Sequence, residues 1–185
     1  GSSTRMALAH QAGLVALSAF PPGSVIGLWR FGYHLGGPTQ DWQEVVPQRG
    51  LNDVVGGKDQ RAMLVEGFAS LAARPGGSTG LFDTILAAYK QAKAGYDPTR
   101  INSVVLLTDG KNEDPQSISL DNLLTRLAAA KDPAKPIVVI TVAIGPDADA
   151  ATLARVTEVT GGRSYTATAP EQITGVFVDA LLNRS

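Results

Sequence analysis

Two short segments of this chain carry side chains able to hold a cation. In one, Val104-Val105-Leu106-Leu107-Thr108 runs into Asp109-Gly110 and then into the polar loop Lys111-Asn112-Glu113-Asp114. An apolar run so short and uniform reads as a strand buried on both faces, as in a parallel sheet. Asp109 stands where that strand leaves the sheet, and ligands of open α/β sheets gather at the carboxyl ends of strands. A carboxylate there suits a divalent cation that prefers oxygen donors. Shaping the turn before Gly110 is a plainer role that fits the same residue equally well. The other segment is the glycine-rich loop Arg74-Pro75-Gly76-Gly77-Ser78-Thr79-Gly80, opening onto Leu81-Phe82-Asp83-Thr84. It lacks the Gly-Lys-Ser/Thr of a phosphate loop, and no Gly-x-Gly-x-x-Gly follows any strand, which argues against nucleotide binding. Thr79 offers its hydroxyl either to a cation or, as a simple cap, to the first amides of the next helix.

The elements that must position these loops alternate. Apolar residues at Met6, Ala9, Gly13, Leu14 and Leu17 mark a helix over 4–20, stopped by Pro21-Pro22-Gly23. Strands are expected over 24–31, 42–46 (closed by Pro47), 102–108, 136–144 and 163–167, with further helices over 60–73, 81–94, 119–130, 150–160 and 170–183. Ser119 suits a helix N-cap, and Thr168-Ala169-Pro170-Glu171 matches a capping box with proline in the first turn. Strands separated by helices mean βαβ units: an α/β, doubly wound, mostly parallel sheet with helices on both faces. No linker or internal repeat divides the chain, so residues 1–185 read as a single domain.

Composition narrows the function. The chain has 185 residues, 44% hydrophobic and 18% charged, enough for a sizeable core. Sixteen basic against 17 acidic residues give a net charge of −1 with no basic block, which argues against nucleic acid or an anionic membrane as partner. The longest apolar stretch, Ile137 to Ile144, is too short to span a bilayer. The absence of cysteine excludes disulfides, thiolate zinc sites and cysteine nucleophiles, and leaves the compartment open. His10 and His34 lack metal-binding spacing and read as structural or surface residues.

Taken together, Gly-Gly-x-Thr-x-Leu-x-Asp (Gly76 to Asp83), a helix, and a strand ending Leu-Leu-Thr-Asp-Gly (Leu106 to Gly110) resemble the von Willebrand factor type A domain. Further similarity runs almost end to end. Gly23 to Phe31 resembles the family's second strand, Pro136 to Gly145 its fifth, and Ala154 to Tyr165 the helix and Gly-Gly turn before its last. Asn102 to Gly110 with Asn112 and Asp114 is most similar to the bacterial branch, particularly extracytoplasmic actinobacterial proteins. The resemblance implies five parallel strands with one antiparallel edge strand. It also implies a metal-ion-dependent adhesion site at the carboxyl edge, to which Thr79 and Asp109 would contribute ligands. The family's first metal loop, Asp-x-Ser-x-Ser, follows a central first strand. This chain opens with Gly1-Ser2-Ser3-Thr4-Arg5, so the expectation is an N-terminally truncated domain whose opening serines are linker. Strands 24–31 and 102–108 should flank the place of that missing strand. The side-chain oxygens of Thr79 and Asp109 should converge within about 4–7 Å, the span of a cation with ligands at roughly 2.1 Å.

The expected function is non-enzymatic: a protein-binding or adhesion module of a larger cell-envelope protein, outside the cytoplasm. Its cation, Mg²⁺ (or Mn²⁺ or Ca²⁺), would be held weakly or not at all by this chain alone. The partner would present an acidic side chain, and neither nucleic acid nor membrane would be touched by the domain. A metal-free interaction scaffold is the alternative. A hydrolase or phosphotransferase with Asp109 as nucleophile fits less well, because position 111 is Lys rather than the second Asp of an Asp-x-Asp pair, and no Gly-x-Ser-x-Gly turn is present.

Overall fold

The computed structural model describes residues 2–71, 79–108, 111–145 and 148–167, with helical backbone also at 172, 175, 176 and 179. The chain forms two compact units, Gly1–Gly77 with Ala169–Ser185, and Ser78–Thr168.

The first unit begins with α1 (Ser2–Ala19), which takes in the two serines expected as linker. Its buried face carries Gly13, Ala16 and Leu17, while Leu14 turns outward at 42% exposure, contrary to the apolar stripe expected for it. β1 (Val25–Phe31) and β2 (Trp42–Gly50) pair antiparallel. The sequence places the end of β2 at Pro47, but the strand continues through it. A proline costs a ladder hydrogen bond and is tolerated in edge strands and at bulges. Here Ile26 pairs with Arg49 and Leu28 with Val46, so Gly27 faces both Pro47 and Gln48, and the missing amide falls at a bulge. A two-residue-strand hairpin that the sequence reading lacks follows: β3 (Val54–Val55) and β4 (Lys58–Asp59), turned by Gly56 and Gly57 at φ +62° and +82°. Positive φ at both turn centres is the hairpin geometry glycine permits.

α2 (Gln60–Ser70) is capped by Asp59, whose carboxylate accepts from the Ala62 amide, and it ends three residues earlier than its spacing suggests. Leu17, Val46, Leu51 and Leu64 form the core, with Phe20, Ile26, Leu28, Val45 and Met63 against them. Two side chains at the start of α2 fasten the rest. Gln60 is wholly buried, and its Nε2 donates to the carbonyls of Ile26 (2.8 Å) and Pro47 (2.6 Å), beside the bulge. Arg61 donates to the carbonyls of Leu17 and Phe20, satisfying acceptors that the end of α1 leaves open.

The second unit holds α3 (Leu81–Ala94), β5 (Asn102–Thr108), α4 (Leu120–Ala130), β6 (Ile137–Ile144), α5 (Ala150–Thr160) and β7 (Arg163–Ala167). The parallel order β5-β6-β7 matches the expected βαβ reading. β6, central in this sheet, is buried along most of its length, as its uninterrupted apolar run demands. β5 is only partly so: Leu106 and Thr108 are buried, whereas Val104, Val105 and Leu107 are half-buried. β5 is therefore less buried than the reading of it as covered on both faces expects. β1 belongs to the two-stranded sheet of the first unit and β5 to the three-stranded sheet of the second.

Leu123 and Leu127 of α4, Leu153 and Val156 of α5, and Ile85 of α3 are fully buried. Burying each large aliphatic side chain contributes about 1.5–3 kcal/mol. Ser119 caps α4 through the Asn122 amide, as expected, and Asp149 caps α5 through the Thr152 amide. α5 closes on Gly161 at φ +76°, and Gly162 passes so close to the Val139 carbonyl that a Cβ there would lie 1.8 Å from its oxygen. The expected capping box at 168–171 lies outside the described residues, as does most of the helix expected over 170–183. Among the described residues, no helix is long and apolar enough to cross a membrane.

Candidate metal site

The three parallel strands of the second unit end on one edge, and the loop after β5 leaves from there. Thr108, buried, is the last residue of that strand; Asp109 and Gly110 lie outside the described residues, as do residues 72–78 of the glycine-rich loop. Thr79 is described, half-buried, two residues before the first residue of α3.

Thr79 does not cap α3, which removes its plainer reading. The N-cap is Gly80, which has no side chain to offer. The first amides of α3 instead meet a side chain from the loop after β5. Asn112 Oδ1 accepts from Leu81 N at 2.8 Å and from Phe82 N at 3.2 Å. Next to it, the Glu113 amide donates to the Thr79 carbonyl at 3.0 Å. Farther along, Asp83 Oδ2 accepts from the Ile118 amide at 3.2 Å. Four hydrogen bonds thus bind the start of α3 to residues 112–118. Thr84 adds an internal brace, its hydroxyl donating to the Gly80 carbonyl.

This arrangement leaves oxygen atoms free for other work. The Thr79 hydroxyl has no hydrogen-bond partner among the described residues, whereas its carbonyl is committed. Carboxylate oxygens of Asp83 and Asp114 approach within 4.8 Å of each other, with Asp114 buried and its Oδ1 accepting from the Gln116 amide. At the loop after β6, Asp149 holds its carboxyl below the usual carboxylate range, chiefly through the Thr152 hydrogen bonds and further through the charge of Lys111. Hydroxyl and carboxylate oxygens are the donor set of a hard divalent cation, and an uncommitted, half-buried threonine hydroxyl fits that group. Both histidines belong to the first unit, where His34 stacks on Tyr33.

Sequence reasoning singled out Thr79 and Asp109 as candidates but assigned no role to Asn112, whose partners lie about 30 positions earlier in the chain. Local patterns do not show such a pairing. The only signal was negative: a helix opening on Gly80, with no capping side chain of its own, requires an acceptor from elsewhere.

A sequence profile of the von Willebrand factor type A domain matches residues 20–178, across both units. Two uncharacterized proteins of Mycobacterium tuberculosis, from strains CDC 1551 and H37Rv, are each 32% identical over 166 residues, covering 88% of this chain. The chain spans about a quarter of their length, 23%. Among solved structures, a von Willebrand factor type A protein from Catenulispora acidiphila superposes with a TM-score of 0.63 at 20% identity, over 93% of this chain and 36% of that one. Proximal thread matrix protein 1 of the mussel byssus gives 0.66 at 15% identity, over 97% and 42%. BatB from Bacteroides thetaiotaomicron gives 0.62 at 11% identity, over 95% and 88%. At these identities the structures speak for the fold alone. The chain belongs to the von Willebrand factor type A family, whose domains are commonly protein-interaction modules.

Proposed function

We propose that this domain is a non-enzymatic adhesion module that captures an acidic side chain of a protein partner through a divalent cation held by Thr79 and Asp109. The observation that carries the reading is the pairing of Thr79 with the loop after β5. The residue's backbone is fixed by Glu113, while its hydroxyl is left without a partner among the described residues. A bound Mg²⁺ or Mn²⁺ would supply residual positive charge and an open position for the partner's carboxylate. The protein's own part at Thr79 is to keep that hydroxyl clear of competing hydrogen bonds. Two ligands make a weak site. A strand ending in Asp-x-Ser-x-Ser, placed ahead of α1, would raise the count to as many as five. The resemblance to extracytoplasmic actinobacterial proteins supports a place in a larger cell-envelope protein.

Thermal melts in Mg²⁺, Mn²⁺ and EDTA test this, using the chain alone, a version supplied with that strand, and Asp109→Ala in each. A ligand at 100 times its Kd stabilises the native state by about 2.7 kcal/mol. The supplied version should show a shift of that order, the present chain a small one, and Asp109→Ala none. A supplied version without a metal-dependent shift, or a shift that survives Asp109→Ala, would replace the adhesion site with a metal-free scaffold.

A further inference from the structure

We propose that Asn112 is a positioning residue for this site, clamping the loop that begins at Asp109 onto the segment that presents Thr79. The inference rests on the metal-binding reading above. Asn112 stands three residues after Asp109, and its amide oxygen receives the Leu81 and Phe82 amides, two and three residues after Thr79. A single side-chain atom thus joins the two ligand-bearing segments from outside the ligand set.

The chemistry of the clamp is specific. The opening turn of a helix exposes amides that no residue of the helix can satisfy. Gly80 offers no side-chain acceptor at the N-cap, and the Thr79 hydroxyl does not serve. Had Thr79 capped α3, its oxygen would be spent. The Asn112 carbonyl takes that duty, and this is what leaves the threonine oxygen free. The Glu113 amide on the Thr79 carbonyl fixes the backbone on the other side of the same residue. Without the Asn112 acceptor, the unmet amides of α3 would draw the Thr79 hydroxyl, one residue before the N-cap Gly80, and turning to them would remove it from the cation. Loss of the clamp therefore costs a ligand as well as order. Partners of metal ligands that act in this way change metal affinity by about 10–100-fold when removed.

The test uses amide NMR spectra of the intact chain during Mn²⁺ titration, where paramagnetic broadening reports even weak binding. Signals of Thr79, Leu81 and Asn112 should broaden at lower Mn²⁺ than that of Ile137, which pairs with Asn102 at the opposite end of β6 and serves as internal reference. Asn112→Asp keeps an acceptor at the same place and should broaden at no higher Mn²⁺ than the original chain. Asn112→Leu, similar in size but without an acceptor, should need at least about tenfold more Mn²⁺. Should the leucine variant not fold, Asn112→Gln, which displaces the acceptor by one methylene, is read in the same way. A purely structural role would lower the melting temperature in EDTA but leave the Mn²⁺ midpoint of the folded protein unchanged. That outcome, with Asp109→Ala abolishing the selective broadening, overturns the clamp and leaves the metal reading standing. If only the version supplied with the Asp-x-Ser-x-Ser strand broadens selectively, the Asn112 variants are read in that version; absence of selective broadening in both overturns the metal reading itself, and the clamp with it.

Discussion

Gln60 is the residue whose replacement reports most directly on how the first unit is held together. Its Nε2 satisfies the Ile26 and Pro47 carbonyls beside a bulge, while its Oε1 is buried without a partner. Gln60→Leu removes both donations and strands two carbonyls, each worth about 1–3 kcal/mol when buried and unmet, but it also removes the unmet Oε1. The net cost should be about 1–3 kcal/mol. Gln60→Glu separates the clamp from simple packing. Facing two carbonyls, a carboxylate would be both buried and repelled, so its folded pKa must rise above the unfolded value of about 4.3. A group with a raised folded pKa contributes its full stability below the unfolded value and loses it as pH rises toward the folded value. The variant should thus weaken by about 1.4 kcal/mol per pH unit above about pH 4.3. Near pH 4.5 the protonated acid still donates to one carbonyl, and the variant should be no less stable than Gln60→Leu. By about pH 7 it should have lost a further 3.4 kcal/mol or so, unless the folded pKa is reached first. Urea denaturation at several pH values, compared with the unaltered chain at each, measures this directly. A Gln60→Glu variant whose stability relative to the unaltered chain is the same at every pH would refute the buried clamp.

Three further outcomes follow from other positions. Gly161→Ala puts a side chain at φ +76° and should cost about 1–2 kcal/mol in chemical denaturation. Gly162→Ala should cost clearly more, since its Cβ would meet main chain at Val139 rather than a movable side chain; equal costs would show that β6 yields there. Asp149→Ala removes the α5 cap and should cost about 1 kcal/mol near neutral pH. Because the Asp149 pKa is lowered on folding, its contribution is present above the unfolded value of about 3.9 and fades as pH falls through the folded one, so the variant and the original chain should converge in acid.

The elements whose own residues determine them were legible in the sequence. α3 and β5 fall on the expected boundaries, because Gly95 stops one and a polar loop bounds the other. Elements defined by partners were not. Pro47 reads locally as a terminator, and only the bulge opposite Gly27 turns it into an interior residue of β2. Val54-Val55 and Lys58-Asp59 are too short to register as strands, although Gly56-Gly57 between them is a hairpin turn. Leu14 fits a helical stripe by spacing, yet α1 buries the face centred on Gly13 and Leu17, with Gly13 so close to Phe68 that a Cβ would meet its ring. At the candidate site, residue types alone pointed to Thr79, whereas the Asn112 clamp depends on a contact between distant segments.

Arg61 also has a consequence for the order in which the first unit assembles. Its guanidinium reaches carbonyls 44 and 41 residues earlier in the chain, and α1 has neither a basic residue in its last turn nor an acidic one in its first. The final turn of α1 therefore depends on an acceptor-filling group that arrives only after β1, β2 and the β3–β4 hairpin have been traversed. Closing so long a loop is entropically slow compared with forming a helix turn. The end of α1 should consequently fray and re-form until α2 docks, becoming ordered with that event rather than before it. In a folding experiment, Arg61→Met should speed unfolding while leaving the folding rate nearly unchanged, the signature of a contact made after the rate-limiting step.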